Sequence, residues 1–396
     1  MRVEQVIFPT GDRLPMLLDD QDLPVPEACD WMLSRRQRAF ATQSRNMQEL
    51  LVVHDWARVR RIDLYERLRS GRQFTEAEIT SLVERLRRPS TVPVVVKLAV
   101  SPDTANKRIS TASKHMAWYI DELIADSGTS EAQRKRLSDM KDKLVRMLLD
   151  SMQSPEGNRS YHKHLTLDQA QFLQDALDPE GTVLFGRDSR GRLRNFLMVC
   201  LLVFLGVRTG ELLSLRIQDI KFGAITSIHI TRRGMSPVDH RRRPPRVKRE
   251  GRILALDSPR LAMMLDDYIM NERQWFIAHG RSNDSGFVFL SDEGEPLSSD
   301  RLRQLFKDLR TRFPDKLPSH LIPHSLRYTF TDLVHKELRR QGKEEAEIEQ
   351  ILMYLRGDSS PRSQDDYIDY GAAGKEALQR FQSQVASNRN APDVLF

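Results

Sequence analysis

Residues 192–220 read RLRNFLMVCLLVFLGVRTGELLSLRIQDI. From 192 to 205 the segment is apolar on every side of a helix, so that helix is buried at the centre of a domain. Its longest apolar stretch, 196–207, is too short to span a bilayer and runs straight into Arg208. A guanidinium at that place is costly to bury without a partner. Two uses of it fit. One is a structural ion pair with Glu211 or Asp219. The other is a rigidly held fork for phosphate oxygens.

Two strand-like runs follow the buried helix, at 225–231 and 251–256. The connection between them reads as a hairpin or long loop. It carries the charge of the whole molecule. Between 232 and 252 stand nine Arg or Lys residues against Asp239 and Glu250, and that local surplus equals the formal net charge of +7. Such a run reads equally well as a solvated loop and as a segment that binds a polyanion. Its arginines Arg232, Arg233, Arg241, Arg242, Arg243 and Arg246 are the candidates for contact with such a polyanion.

The chain of 396 residues is long enough for two or three domains. Residues 1–33, with Pro9, Pro15, Pro24 and Pro26 and an acidic patch, read as an irregular arm with room for a short hairpin. Residues 34–153 read as a small all-helical domain. Helical periodicity marks 44–56, 75–86 with a Thr75 cap, 110–126, and 132–152 with Leu137, Met140, Leu144 and Leu148 inside. The aromatic residues and histidines of these helices, Trp118, Tyr119, His54 and His115 among them, read as core. A polar linker at 154–160 leads to a second domain, 160–385, where Thr166 caps the first helix. Helices are expected at 261–279, at 300–313 and from there to about 382, with a short apolar run at 286–290 and a polar tail at 386–396. Leu378, Phe381 and Val385 are spaced to pack on a neighbouring copy, beside the apolar tip Val394, Leu395 and Phe396.

Only Cys29 and Cys200 are present, far apart and without metal or redox spacing, which fits a reducing compartment. The first residues lack the apolar run of a signal peptide. A cytoplasmic, bacterial or nucleoid-associated protein without a membrane partner is the expectation. No GxxxxGK[ST] phosphate loop occurs. His162 and His164 lack carboxylate or Cys partners nearby in sequence, so neither a metal nor a cofactor is expected.

Four further residues carry chemistry. His324 and Arg327 in PHSLRYTF lie three apart, on one face of a helix. Lys248 in PPRVKREGRILAL precedes a strand and can act as a general acid beside a phosphate. Tyr367 stands in GDSSPRSQDDYIDYG. Each is weak alone. Their order is Arg, Lys, His-x-x-Arg, Tyr, with steps of 40 residues from Arg208 to Lys248, 76 to His324, and 40 from Arg327 to Tyr367.

Together these segments resemble the tyrosine recombinases, the phage integrase family. LGVRTGELLSLRIQDI is similar to the family's first signature box and PHSLRYTFTDLV to its second. VKREGRILAL is similar to the strand that carries the family's lysine, and GDSSPRSQDDYIDYG to the end of the domain. The resemblance implies a mainly α fold with a small β-sheet, an α+β catalytic domain. Joined to the helical core-binding domain, it would form a C-shaped clamp around duplex DNA. It implies phosphate-binding arginines at Arg208 and Arg327, a general acid at Lys248, the second-box histidine at His324, and the nucleophile at Tyr367. The activity implied is site-specific recombination through a 3′-phosphotyrosyl link, by a tetramer on DNA, for a mobile element.

One position departs from the family. Its sixth active-site residue, His or Trp, lies nine before the tyrosine, and here that place holds Asp358. An ionised carboxylate cannot donate to phosphate and repels it. Either Asp358 turns to an arginine, or a neighbour such as Arg356 supplies the contact. Tyr370 is a second tyrosine nearby with a poorer register. The rival readings are a type IB topoisomerase-like strand cutter and a catalytically impaired DNA-binding accessory protein, the latter favoured by Asp358.

Overall fold

The computed structural model describes residues 1–89, 99–154, 164–181, 185, 189–248, 251–280, 283–358 and 378–383. The chain divides into two compact units, Met1–Arg159 and Ser160–Phe396. Among the described residues no helix is long and apolar enough to cross a membrane.

In the first unit, β1 (Arg2–Ile7) and β2 (Arg13–Leu18) form an antiparallel hairpin that pairs Arg2 with Leu18 and Ile7 with Arg13. A helix, α1 (Pro26–Leu33), follows it with Pro26 in its first turn. The short hairpin that the sequence allows for is thus present, but with α1 behind it the first 33 residues are no irregular arm. Leu14, Leu17, Trp31 and Met32 are buried with Met47 and Leu50 of α2 (Phe40–Val59) in one apolar cluster. The prolines that suggested irregularity sit where the fold tolerates them, Pro26 at a helix start and Pro15 on a strand of a two-stranded ribbon.

The remaining helices of this unit are α3 (Leu64–Arg69), α4 (Glu76–Leu86), α5 (Pro102–Ala125) and α6 (Glu131–Asp150). Side-chain oxygens start all four: Asp63, Thr75, Ser101 and Ser130 each accept a backbone N–H of the first turn. Thr75 and Glu78 complete a reciprocal capping box. Leu137, Met140, Leu144 and Leu148 are the buried face of α6, as their spacing predicts. The helix predicted from 110 begins eight residues earlier, because Pro102 opens it behind the Ser101 cap.

Polar groups cross this core. The Tyr65 hydroxyl lies 3.1 Å from Nε2 of His54 and 3.0 Å from Nε2 of His115. A hydroxyl has one proton, so it donates to one ring and accepts from the other. Burial pushes the His54 pKa down from 6.5 to about 4. Burial, then His54, pushes His115 down to about 3.

In the second unit the helix α8 (Ser189–Leu205) is central. Every residue from Phe196 to Leu205 is buried in a core shared with the sheet and the later helices. α7 (Leu167–Asp175) precedes it, capped by Thr166 and Gln169. The short α9 (Thr209–Leu212) leads to β3 (Ile220–Lys221), β4 (Thr226–Ile230) and β5 (Arg252–Leu256) in one antiparallel sheet. β4 and β5 pair Ile230 with Arg252, so the basic run is the hairpin's long loop. α10 (Pro259–Asp267) and α11 (Arg273–His279) flank one π turn, Tyr268–Glu272. The apolar run at 286–290 is buried but makes only isolated bridges, to Arg216 and Pro296. α12 (Ser299–Arg312), α13 (Pro323–Arg340) and α14 (Glu345–Arg356) complete the described helices up to residue 356.

Residues 378–383 are helical, as their spacing predicts. Leu378 and Phe381 are buried in this unit's own core. Phe381 packs at 6.3 Å from Phe204 and 5.8 Å from Phe330. Gln382 donates to the Phe204 and Ala255 carbonyls. Here these side chains pack within the chain's own core. Val385, Val394, Leu395 and Phe396 lie outside the described residues.

The two buried histidines generate a test. Both are neutral when folded and take a proton near pH 6.5 once unfolded. Unfolding therefore takes up protons between pH 6.5 and about 4, so stability rises with pH across that window, by about 1.4 kcal/mol per pH unit for each histidine. Trp31, Trp56 and Trp118 report on this unit. The urea midpoint of their fluorescence should fall from pH 7 to pH 5, and fall less in His115→Gln. The same fall in both proteins would mean that His115 is not the group that titrates.

Candidate active site

The site begins where α8 stops. Gly206 takes a left-handed φ of +58°, and any side chain there would run into the ring of Phe330. The chain then turns, and Arg208 precedes α9. Its backbone N–H donates to Glu211 Oε2 at 2.9 Å and its Nη1 to Glu211 Oε1 at 2.8 Å. The expected partner Glu211 is thus the real one. Asp219, the alternative, holds Arg233 and the backbone N–H of Arg216.

Glu211 is itself held from behind. Arg252, at the start of β5, donates to both its oxygens at 3.3 and 3.0 Å. The side chains of Arg252 and Glu211 are 3 % and 0 % exposed. Burial alone would raise the Glu211 carboxyl. Arg252, then Arg208, outweigh it and hold the pKa below the ordinary value.

Arg327 comes from α13 and is buried. Its Nη1 donates to the Gly206 carbonyl at 2.7 Å. Burial, then Arg208, lowers its pKa, while Asp358 and Glu211 hold it up. The end of α14 meets all three arginines. Arg252 donates to Leu355 O at 2.7 Å, Arg327 to Arg356 O at 2.7 Å, and Arg208 to Arg356 O at 3.1 Å and Gly357 O at 3.2 Å. These are the carbonyls that a helix leaves unpaired at its C-terminus, and cations are favoured there. Gly357, at φ +58°, ends the helix, and a Cβ on it would stand 2.5 Å from Nη1 of Arg252.

That turn aims Asp358 back at the arginines. Its Oδ1 accepts from Arg208 Nη2 and from Arg327 Nη2, the latter at 3.2 Å. Its Oδ2 lies 2.9 Å from Arg356 Nη2. The carboxylate therefore does turn to arginines, and to the two that the sequence assigns to phosphate.

The other candidates are placed less tightly. His324 is exposed in the first turn of α13, with its ring 4.7 Å from Tyr328 and one turn ahead of Arg327. Lys248 is exposed, two residues beyond a backbone pinned to the Arg208 turn. A Cβ on Gly210 would stand 2.8 Å from the Arg246 carbonyl, and Ser214 Oγ lies 2.5 Å from Gly210 O and 3.1 Å from Pro245 O, with one proton to share between them. Tyr367 and Tyr370 lie outside the described residues, as does His162.

The basic run is not one surface. Arg241 is buried. It pairs with Asp239 through two bonds of 2.8 Å, donates to Leu213 O and Leu297 O, and lies 4.5 Å over the Phe287 ring. Its assignment to DNA is corrected, because Nε, Nη1 and Nη2 are all bonded inside the fold. Arg233 likewise closes a two-bond pair on the buried Asp219. Arg232, Arg242 and Arg243 are exposed, and Arg246 is half-buried.

Arg252 is the residue of this site that motif spacing does not single out. Its signal lies in the strand: in RILAL the inward positions are 252, 254 and 256, so an arginine heads an apolar face and needs a buried acid.

Residues 163–352 match the phage integrase family, the tyrosine recombinase catalytic domain. The matched span holds Arg208, Lys248, His324 and Arg327 and ends before Asp358 and Tyr367. Among curated proteins none matches. Solved structures similar to this chain include the Tn1549 transposon integrase in complex with transposon right end DNA, at 13 % identity and a TM-score of 0.48, covering 93 % of this chain and 99 % of that one. XerH site-specific recombinase bound to a palindromic difH substrate is 14 % identical, with a TM-score of 0.40 and 80 % and 84 % coverage. XerA recombinase is 15 % identical, with a TM-score of 0.34 and 93 % and 97 % coverage.

Arg252→Leu should leave Glu211 buried with a lone remaining partner and cost about 3–5 kcal/mol in urea unfolding. Arg252→Met with Glu211→Leu should recover most of that loss, since a buried pair replaced by apolar groups is often neutral. Equal instability of single and double variants would show that the pair is not what the site rests on.

Proposed function

We propose that this chain is a site-specific DNA recombinase of a mobile genetic element, which cuts and rejoins strands through a 3′-phosphotyrosyl intermediate on Tyr367. The observation that carries the reading is the convergence of Arg208 and Arg327, from α9's edge and from α13, on one carboxylate oxygen. Two guanidiniums fixed by Glu211 and by helix-end carbonyls make a preorganised oxyanion site inside an integrase-family domain.

The chemistry follows from charge. A phosphodiester repels nucleophiles until its non-bridging oxygens are neutralised, which is the work of Arg208 and Arg327. The Tyr367 hydroxyl, with an ordinary pKa near ~10, attacks phosphorus as its proton leaves, assisted by His324 and the surrounding positive charge. The P–O5′ bond breaks and Lys248 gives its proton to the leaving oxygen. Reversal by a 5′ hydroxyl restores the diester, so the bond energy is conserved and no nucleotide is consumed. Double-stranded DNA is the partner. The helical unit and the catalytic domain clamp it, and a tetramer on DNA exchanges the strands.

A nicked suicide substrate tests this. The protein should give a denaturant-resistant adduct with label on the 3′ side, lost in Tyr367→Phe and kept in Tyr370→Phe. Lys248→Ala should slow cleavage far less when sulfur replaces the leaving oxygen, because a thiolate needs little protonation. An adduct mapped to Tyr370 would shift the register by three residues. No adduct, with or without divalent metal, would replace the enzyme by an accessory DNA-binding protein.

Binding should also divide the basic run. Arg242→Ala with Arg243→Ala should flatten the salt dependence of duplex binding by about 0.9 for each phosphate that is no longer neutralised. Arg241→Ala should instead lower stability, since it leaves Asp239 buried without its cation. A thermal midpoint unchanged by Arg241→Ala would return that residue to the DNA-facing group.

A further inference from the structure

Asp358 is an oxyanion held in the place where the proposed reaction puts a phosphate. One of its oxygens faces Arg208 and Arg327 and the other faces Arg356. The seat therefore has two oxygen places, and Arg208 and Arg327 fill only the first. The Arg356 main chain is held beside the seat: its backbone carbonyl accepts from Arg208 at 3.1 Å and from Arg327 at 2.7 Å. Its Nε is enclosed and meets no acceptor among the described residues, so the guanidinium has a donor in reserve. Its side chain is 32 % exposed, against 3 % for Arg327, so it lies on the open side of the seat.

Resting on the proposed function, we infer that Arg356 is the third phosphate-contacting residue of this chain. Its guanidinium takes the non-bridging oxygen that Arg208 and Arg327 leave, and the Asp358 carboxylate keeps that place until DNA enters. An ionised carboxylate can only accept, so Asp358 cannot itself serve a phosphate. It can leave. Its backbone N–H stays bonded to Met353 O at 2.9 Å, and its side chain is 30 % exposed, so rotation about χ1 opens the seat without unwinding the cap at Gly357. Once it has left, three guanidiniums with only Glu211 among the described residues to balance them favour an incoming anion.

Two experiments on the full chain test this separately from the tyrosine chemistry. Inorganic phosphate titrated calorimetrically should bind Asp358→Asn at least about tenfold more tightly than the unaltered protein, since the competing carboxylate is gone. Adding Arg356→Gln should cost about tenfold again, with Arg356→Lys between, and circular dichroism should show all three folded. Equal phosphate affinity with and without Arg356→Gln, or no binding by Asp358→Asn, overturns the assignment. On a suicide substrate, Arg356→Ala should form adduct about 100-fold more slowly. It should approach the unaltered rate when a methylphosphonate removes the oxygen it would neutralise. If the unaltered protein forms adduct and Arg356→Ala keeps pace, Arg356 is not a ligand and the recombinase reading stands. If no adduct forms but the phosphate series behaves as described, the recombinase reading falls and Arg356 remains an oxyanion ligand.

Discussion

Glu211 is the hinge of the second unit's chemistry. A carboxylate without solvent contact is tolerable only while both its oxygens are neutralised, and Arg208 and Arg252 do this from opposite sides. The pair fixes more than charge. Arg252 belongs to the sheet, Glu211 to the turn after the central helix, and Arg252 also holds the Leu355 carbonyl near the end of α14. A single buried anion thus sets the relative positions of three elements that are distant in sequence, and Arg208 inherits its aim from that arrangement.

The carbonyl end of α14 is the second fixed point. Three guanidiniums cap it, and Gly357 lets the chain turn back without a side chain meeting Arg252. Asp358 is then delivered to the arginines by the cap geometry itself. The same geometry explains how a chain with an acid at this position retains a coherent cluster. The acid is a counter-ion to the site, placed by backbone and removable by one rotation.

Local patterns were legible because they are local. The all-round apolar helix, the caps at Thr75 and Thr166, and the inward face of α6 depend on periodicity and on first-turn oxygens. The arginines Arg208 and Arg327 were legible through motif spacing, and Glu211 through its nearness to Arg208. What stayed hidden depends on partners far along the chain. Arg241 reads as one more cation in a basic loop, yet Asp239, Leu213, Leu297 and Phe287 enclose it. Leu378 and Phe381 read as an unpartnered apolar stripe because their partners, Phe204 and Phe330, are more than 40 residues away. The opening hairpin was allowed for, but its packing was hidden, because it depends on α1 and α2.

The β4–β5 loop is fastened at separate points: Arg233 to Asp219, Arg241 to the end of α9, and 245–246 to Gly210 and Ser214. Between the first two fasteners Gly234 has open space around it. Chain length there is mechanically decoupled from Lys248, because slack introduced at Gly234 ends at the Ser236 bond to Arg216 and at the Arg241 anchor. Related chains can therefore differ by several residues in this stretch without moving the lysine, and a short peptide tag inserted at Gly234 would be carried on the surface of a working domain.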